Sequence, residues 1–287
     1  MRVEIEILGS GTSTGVPVIG CSCPVCRSPN PRNKRLRSSV VFTVTQGAGK
    51  NAETRRLLVD VTPDVRMQAL RAGISSVDGV LITHTHADHC HGLDDMRALY
   101  WCGGKKNIDL WAYPESLASL KRTFEYMFDE TYDYKAIARF DTHTFEQEAF
   151  TVADIKVQPL QVVHGNMRVA GFRIGDAAYI TDTNLVPDST IALLKGCKLL
   201  VLDALRRAPH PTHMSLPQAL EVARQAGVER VFFTHITHDL DHDVVNKELP
   251  PWAALGYDML RAAVEEDGKI TVMEPTPSGL PPLIALR

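Results

Sequence analysis

Charged and aliphatic residues alternate from the first positions of the chain, in Arg2-Val3-Glu4-Ile5-Glu6-Ile7-Leu8. A period of two puts alternate side chains on opposite faces of an extended backbone, so this segment predicts a strand. Short runs rich in β-branched residues follow at 39–45, 57–60, 79–83, 108–113, 155–163, 168–174, 177–181, 199–203, 230–234 and 269–273. Many are bounded by Gly, Pro, Asn or Asp, which predicts further strands. Helices are expected between them. Thr62-Pro63-Asp64 supplies a cap, a first-turn proline and an acid ahead of 65–72, and Gly73 follows. Ser215-Leu216-Pro217 opens a similar helix that runs to Ala226 and stops at Gly227. Segments 115–128 and 251–264 are the other predicted helices. Strands dominate the first half and then alternate with helices. This predicts an α/β protein with mixed sheets and helices on their outer faces, not a barrel or a bundle.

Neither an internal repeat nor a Pro/Gly/Ser-rich linker divides the 287 residues, and a single domain over 1–287 is expected. A composition of 44% hydrophobic and 23% charged residues suits a globular protein with a substantial core. The formal net charge of −3 gives no general reason to expect nucleic acid or an anionic membrane as partner. No stretch is long and apolar enough to span a bilayer, and the alternating start lacks the unbroken apolar run of a secretory signal. Six cysteines are too few and too clustered for a disulfide framework, so a reduced, cytoplasmic protein is expected. The basic cluster Arg32, Lys34, Arg35 and Arg37 reads as a solvated loop. A homodimer is the default expectation for assembly.

The densest chemistry is His84-Thr85-His86-Ala87-Asp88-His89, directly after the apolar run Val80-Leu81-Ile82. Imidazoles joined by a carboxylate suit zinc, iron or manganese and favour water-activating sites. His164, Asp182 and His235 each end a predicted strand. A polar strand end is ordinarily where the chain meets water, but three ligand types so placed, with the dense cluster, point to a common site. Cys21, Cys23 and Cys26 crowd a second, turn-rich segment. In a reducing compartment such thiols read as a metal site, and a closed structural zinc site needs a fourth ligand. Three clustered cysteines are one short of an iron–sulfur set. Cys90 and Cys197 read as core residues, and His91 and His143 have no motif support. The loop Gly9-Ser10-Gly11-Thr12-Ser13-Thr14-Gly15 fails the dinucleotide fingerprint and reads as a loop at the site rim.

In spacing and order, His84-x-His86-x-Asp88-His89 followed by His164, Asp182 and His235 resembles the metallo-β-lactamase superfamily, from the first strand to about His238. The resemblance implies a four-layer αββα sandwich of two mixed sheets with the metals at one rim. It implies that His84, His86 and His164 hold one ion, that Asp88, His89 and His235 hold the other, and that Asp182 bridges them. Asp60 falls on the family's aspartate at the end of an early strand, where it orients the ligand loop. Asp60-Val61-Thr62 stands where many members have Asp-x-Gly, so a different turn is expected. The cysteine cluster resembles that of the PhnP-type phosphodiesterase branch, which pairs it with a histidine just beyond the last catalytic ligand. That histidine falls on His238, with Cys102 and His242 as alternatives. Phosphodiesterase members also place a non-ligand histidine before a capped helix, here His213, which would give a proton to the leaving alcohol. Arg97, in the helix after the cluster, is a candidate substrate-phosphate contact.

The expected function is a metal-dependent phosphodiesterase with two catalytic divalent cations (zinc, manganese or iron) and one structural zinc in the cysteine loop at about 20–27. A hydroxide bridging the two cations would attack a small phosphodiester or nucleotide, cyclic ones included. Long nucleic acid is not expected as substrate. Other activities share the fold, which does not settle substrate. The best-known zinc β-lactamases have a cysteine or no bridging acid where Asp182 stands. A tRNA 3′-processing endonuclease shares that acid but carries a basic arm, and no such insertion is visible. A glyoxalase II-like thioesterase would have the catalytic ligands and no use for the cysteines. PqqB-type proteins share the cysteines and act by oxidation, with a catalytic motif that departs from the hydrolase pattern seen here. A non-catalytic metal-binding module is the remaining alternative. Tyr126, Phe128, Tyr132 and Tyr134, within 101–140, form either a lid over a compact pocket or the packing of a helix onto a sheet.

Overall fold

In the computed structural model, which describes residues 1–47, 49–129, 131 and 136–273, the N-terminal alternation becomes strand β1 (Arg2–Gly9). The first half continues with β2 (Ser39–Gln46), β3 (Glu53–Val59), β4 (Gly79–Leu81), β5 (Ile108–Ala112), β6 (Phe140–Thr144) and β7 (Phe150–Val152). Then come β8 (Ile155–His164), β9 (Met167–Ile174), β10 (Ala177–Ile180), β11 (Leu199–Asp203) and β12 (Arg230–Thr234). The last are β13 (Ala253–Leu255), β14 (Arg261–Val264) and β15 (Ile270–Met273). Among the described residues they form an eight-stranded sheet, β15-β14-β1-β2-β3-β4-β5-β6, and a seven-stranded sheet, β13-β12-β11-β10-β9-β8-β7.

The sheets face each other. Val3, Ile5, Ile7, Phe42 and Val59 from the first pack against Val157, Phe172, Tyr179, Val201 and Phe232 from the second. Outside the first sheet, Leu58, Val80 and Leu110 meet Leu93, Met96, Leu117 and Leu120. Outside the second, Leu200, Leu202 and Val231 meet Ala219, Ala223 and Ala226 of the helix Leu216–Ala226. The result is the four-layer αββα sandwich, with three apolar seams. Fully burying each such Val, Leu or Phe contributes about 1.5–3 kcal/mol. Both helices form: Val65–Ala72 ends on left-handed Gly73, although its N-cap position is Asp64 and not Thr62, and Leu216–Ala226 has a capping box of Ser215 and Gln218 and ends on left-handed Gly227. No helix among the described residues is long and apolar enough to cross a membrane.

Strand direction decides where the chemistry collects. β3 to β6 are mutually parallel, as are β10 to β13. β8 is antiparallel to β9, and β9 to β10, so β8 runs with β10. Their C-terminal ends meet at one rim, and the segments leaving that rim carry Asp60, His84, His164, Asp182, Asp203 and His235. Within the second sheet the register sets Ile180 beside Leu202 and Asp203 beside Thr234, which aligns three successive strand ends.

Three local expectations fail. The segment 251–264 is not a helix but carries β13 and β14. Its alanines favour a helix, but they lie against Val231, Phe232 and strand β1 in sheet register, and Gly256 splits the segment. A Cβ on Gly256 would lie 2.7 Å from Phe233 O, so backbone packs on backbone there. The helix expected over 115–128 divides into Pro114–Thr123 and Glu125–Phe128. The basic cluster is not a solvated loop either: Arg35 is 2% exposed. Its guanidinium donates to Thr237 O and Leu240 O at 2.6 Å each and to Asn33 Oδ1 at 3.1 Å. Burial pushes it down to about 10. Arg37 pairs with Asp64 at 2.9 Å.

Candidate metal centre

Asp60, Asp182 and His235 share a backbone feature, positive φ values of 63°, 44° and 57°. Non-glycine residues reach this region at a cost of order 1–3 kcal/mol, and such residues concentrate at functional sites. Each sits just past a strand, where the bend turns the side chain back over the rim.

The structure brings the seven resemblance-derived ligands into two overlapping groups. His84, His86, His164 and Asp182 form one, and Asp88, His89, Asp182 and His235 the other; candidate ligand atoms in each lie within 4.8 Å of one another. Asp182 belongs to both. Its Oδ1 lies 3.1 Å from His89 Nε2 and 3.3 Å from His235 Nε2, and its Oδ2 lies 3.8 Å from His84 Nε2. Asp88 Oδ2 lies 3.2 Å from His89 Nε2 and 3.7 Å from His235 Nε2.

Neighbours fix which nitrogen of each ring stays open. His89 Nδ1 lies 2.7 Å from Asp60 Oδ2, and an ionised carboxylate only accepts, so Nδ1 carries the hydrogen. Thr83 donates its hydroxyl to the same Asp60 oxygen at 2.8 Å and meets His84 Nδ1 at 2.9 Å, so it accepts from that ring. His164 Nδ1 donates to Thr212 O at 2.6 Å. In all three rings this leaves Nε2 as the nitrogen facing the ligand cluster, the one a bound metal would take. The Nε2 atoms of His84, His89 and His235 are buried and lack an aligned hydrogen-bond partner. Buried polar atoms are rarely left so. The donor set therefore fits divalent cations.

Charge points the same way. Burial alone would raise Asp182 and Asp88, but the surrounding histidines hold both carboxyls well below the usual range. Burial lowers His84 and His164, leaving them neutral. His89 and His235 also feel burial, yet Asp182 and its companion carboxylates push both up. Among the described residues, ion pairs to Asp60, Asp88, Asp182 and Asp203 come from histidines alone. Buried carboxylates without a fixed cation are costly unless something positive joins them.

His213 stands beside this centre. Its ring stacks on His235 at 4.7 Å and lies 4.5 Å from His164. Asp203 faces it, with Oδ2 3.3 Å from His213 Nδ1 and 3.0 Å from Thr183 N. Its Oδ1 is buried, 4.0 Å from His235 Nδ1. Sequence reasoning missed Asp203, although it ends a predicted strand as Asp182 does.

The three cysteines gather around His238, with Cys21, Cys23 and Cys26 Sγ at 3.2, 3.5 and 3.4 Å from its Nδ1. Cys23 caps the turn Pro24–Arg27, and the Cys26 amide lowers its thiol to about 7; burial pushes Cys26 up to about 11. Three sulfurs and one imidazole match a closed structural zinc site. Cys102 is exposed, and His242 packs on Tyr257 at 5.5 Å, so neither enters the cluster. The glycine loop braces the intervening segment: Ile236 N donates to Ser10 O at 2.9 Å, and Thr12 N to Ile236 O at 3.3 Å.

Other candidates lie elsewhere. Arg97 Nη2 donates to Asp94 Oδ2 at 2.6 Å, and Tyr126 donates to the other Asp94 oxygen at 2.9 Å. Phe128 packs near Phe140, with rings 6.1 Å apart. Tyr132 and Tyr134 lie outside the described residues. Cys90 and Cys197 are buried, His91 meets Phe124, and His143 stacks on Trp111 and pairs with Asp109.

Residues 55–236 match the family model described as the beta-lactamase superfamily domain. An octanoyltransferase of Porphyromonas gingivalis is 37% identical over 276 residues, 94% of this chain but 53% of that protein. The chain thus spans about half the length of that curated relative. The crystal structure of a diphosphatase from the PhnP family superposes with a TM-score of 0.82 at 40% identity, covering 92% of this chain and 97% of the other. Zinc-bound PqqB from Methylobacterium extorquens shares the fold, with a TM-score of 0.67 at 20% identity over 90% and 99% of the two chains. The chain belongs to the beta-lactamase superfamily, in its PhnP-type branch.

Proposed function

We propose that this protein is a phosphodiesterase acting on small phosphodiesters or nucleotides, cyclic and diphosphate-linked ones included, with 1–287 as one domain. The observation that carries the reading is Asp182, whose two oxygens face different histidine sets, with His213 stacked alongside. His84, His86, His164 and Asp182 would hold one divalent cation, and Asp88, His89, His235 and Asp182 the other. Zinc in both sites suits these donors, and a further zinc would sit on Cys21, Cys23, Cys26 and His238. Paired cations supply Lewis acidity toward a phosphoryl oxygen and make water acidic near neutral pH.

The chain's own residues do the rest. Asp60 and Thr83 hold the His84 and His89 rings in one orientation, and Thr212 does the same for His164. His213 gives its proton to the departing oxygen, and Asp203 behind it accepts from Nδ1–H and so turns Nε2 outward. The 40% identical structural relative is a diphosphatase, which agrees with phosphoryl chemistry at this rim.

Metal analysis with a small substrate panel tests the reading. The expected result is bound divalent metal and turnover of bis-p-nitrophenyl phosphate, with thioesters and β-lactams inert. Metal without turnover of any ester would establish a binding module instead. Activity that requires ferrous iron and oxygen would establish an oxidative enzyme.

A further inference from the structure

Residues 204–215 form a strap between β11 and the helix Leu216–Ala226, and the strap carries a second histidine, His210. Backbone bonds lock the strap in place. Leu205 N meets Met214 O at 3.0 Å, Leu216 N meets Arg206 O at 2.8 Å, and Met214 N meets Thr183 O at 2.7 Å. His164 Nδ1 ties Thr212 O to the metal centre at 2.6 Å.

His213 is the strap's inner histidine and His210 its outer one, with ring centroids 5.2 Å apart. Thr212 orients the outer ring: its backbone N lies 3.4 Å and its hydroxyl 3.3 Å from His210 Nδ1. A ring nitrogen that accepts an N–H carries no hydrogen of its own, so the proton sits on Nε2. Among the described residues no acceptor meets that Nε2–H. Arg206 curls around the same turn, donating Nη2 to Pro209 O at 3.0 Å and Nε to Ala208 O at 3.4 Å. Its charge is thereby fixed beside His210. Arg207 is already paired with Glu248 at 2.7 Å. Burial, with the charges of His213 and Arg206, lowers His210, which favours the neutral Nε2–H donor.

From the candidate ligands outward the order is His164 and His235, then His213, then His210 with Arg206. A substrate whose phosphorus faces the ligand atoms and whose departing oxygen faces His213 must send its leaving group along the strap. We propose that His210 and Arg206 form an anion subsite for that leaving group, selecting substrates whose departing half carries its own phosphoryl group. This rests on the phosphodiesterase reading of the centre. His210 would donate through Nε2 to a non-bridging phosphoryl oxygen, and Arg206 would supply the countercharge.

The test compares zinc-loaded wild type, H210A, H210Q and R206A on two substrates, with metal content measured in each. Bis-p-nitrophenyl phosphate releases p-nitrophenol, which carries no phosphoryl group, whereas a symmetric dinucleoside diphosphate releases a nucleoside monophosphate. In H210A and R206A, kcat/KM for the diphosphate should fall about tenfold further than for the aryl ester, the scale of a charge-assisted contact. H210Q, which keeps an N–H donor, should recover part of the loss. Equal losses on both substrates overturn the subsite. Turnover of neither substrate by wild type refutes the phosphodiesterase reading, and inorganic phosphate then decides the subsite separately. The His210 Cε1–H resonance should move on phosphate addition in wild type and not in R206A; an unmoved wild-type signal overturns the proposal.

Discussion

Asp203→Asn tests the division of labour at the rim. Asp203 is fully buried, and one oxygen, Oδ2, serves both Thr183 N at 3.0 Å and His213 Nδ1 at 3.3 Å. The asparagine can keep its carbonyl in that position, so both contacts persist as neutral hydrogen bonds. What disappears is the negative charge behind His213. A hydrogen bond to a charged group is worth about 1.5–3 kcal/mol against about 1 for a neutral one. The 3.3 Å contact is long, which favours the lower end. The loss is the difference, about 0.5 kcal/mol at that lower end, which corresponds to a roughly twofold fall in kcat. The amide NH2 would meanwhile face His235 Nδ1, 4.0 Å away, so metal content needs checking at each step. The assay is kcat and kcat/KM on bis-p-nitrophenyl phosphate at saturating zinc, in wild type, D203N, H213A and the double variant. Because Asp203 is argued to act through His213, D203N should cost little once His213 is gone. If the two losses multiply in the double variant, or D203N alone leaves kcat unchanged, the assigned role is wrong.

Asp182→Ala should lower turnover by more than about 100-fold, the upper range for residues that merely support a ligand. Metal analysis should show the catalytic pair reduced and the Cys21–Cys26 zinc retained; full catalytic metal with normal turnover would refute the bridge. Arg35→Met should destabilise the fold by roughly 3 kcal/mol, because two buried carbonyls each lose a donor at about 1–3 kcal/mol. Thermal melts would read this as a fall of several degrees, and an unchanged midpoint would deny Arg35 its stapling role. Glu6 is buried, and desolvation raises it from 4.5 to about 7. The folded state therefore holds the proton between those pH values while the unfolded chain has released it, so stability should fall as pH rises through that window. The full effect is about 3 kcal/mol at about 1.4 per unit. Urea melts of wild type and E6Q from pH 4 to 8 should show this slope only in wild type; the same slope in E6Q would assign it elsewhere.

Much of the site was legible because its residues carry both a type and a place. His84 to His89 is dense, and His164, Asp182 and His235 each close an apolar run, so residue chemistry and strand pattern coincide. Asp203 closes such a run too, but a lone aspartate there looks like a chain meeting water until His213 is seen opposite. The two edge strands β6 and β7 escaped notice because a strand open on one side needs less apolar patterning. Alanines at 253–254 and 262–263 carried a helical bias that neighbouring strands overrode. Arg35 was unreadable for a different reason. Its partners are the backbone carbonyls of Thr237 and Leu240, about two hundred residues away, and carbonyls leave no mark on residue identity.

The left-handed bends at Asp60, Asp182 and His235 bear on any attempt to move this chemistry to another scaffold. Glycine would relax each bend and discard the functional group with it, while a regular strand end would keep the group and aim it elsewhere. A host sheet must therefore tolerate three contorted corners before it can receive the side chains. Copying the residue types alone onto a relaxed framework would yield a histidine-rich edge without a focus.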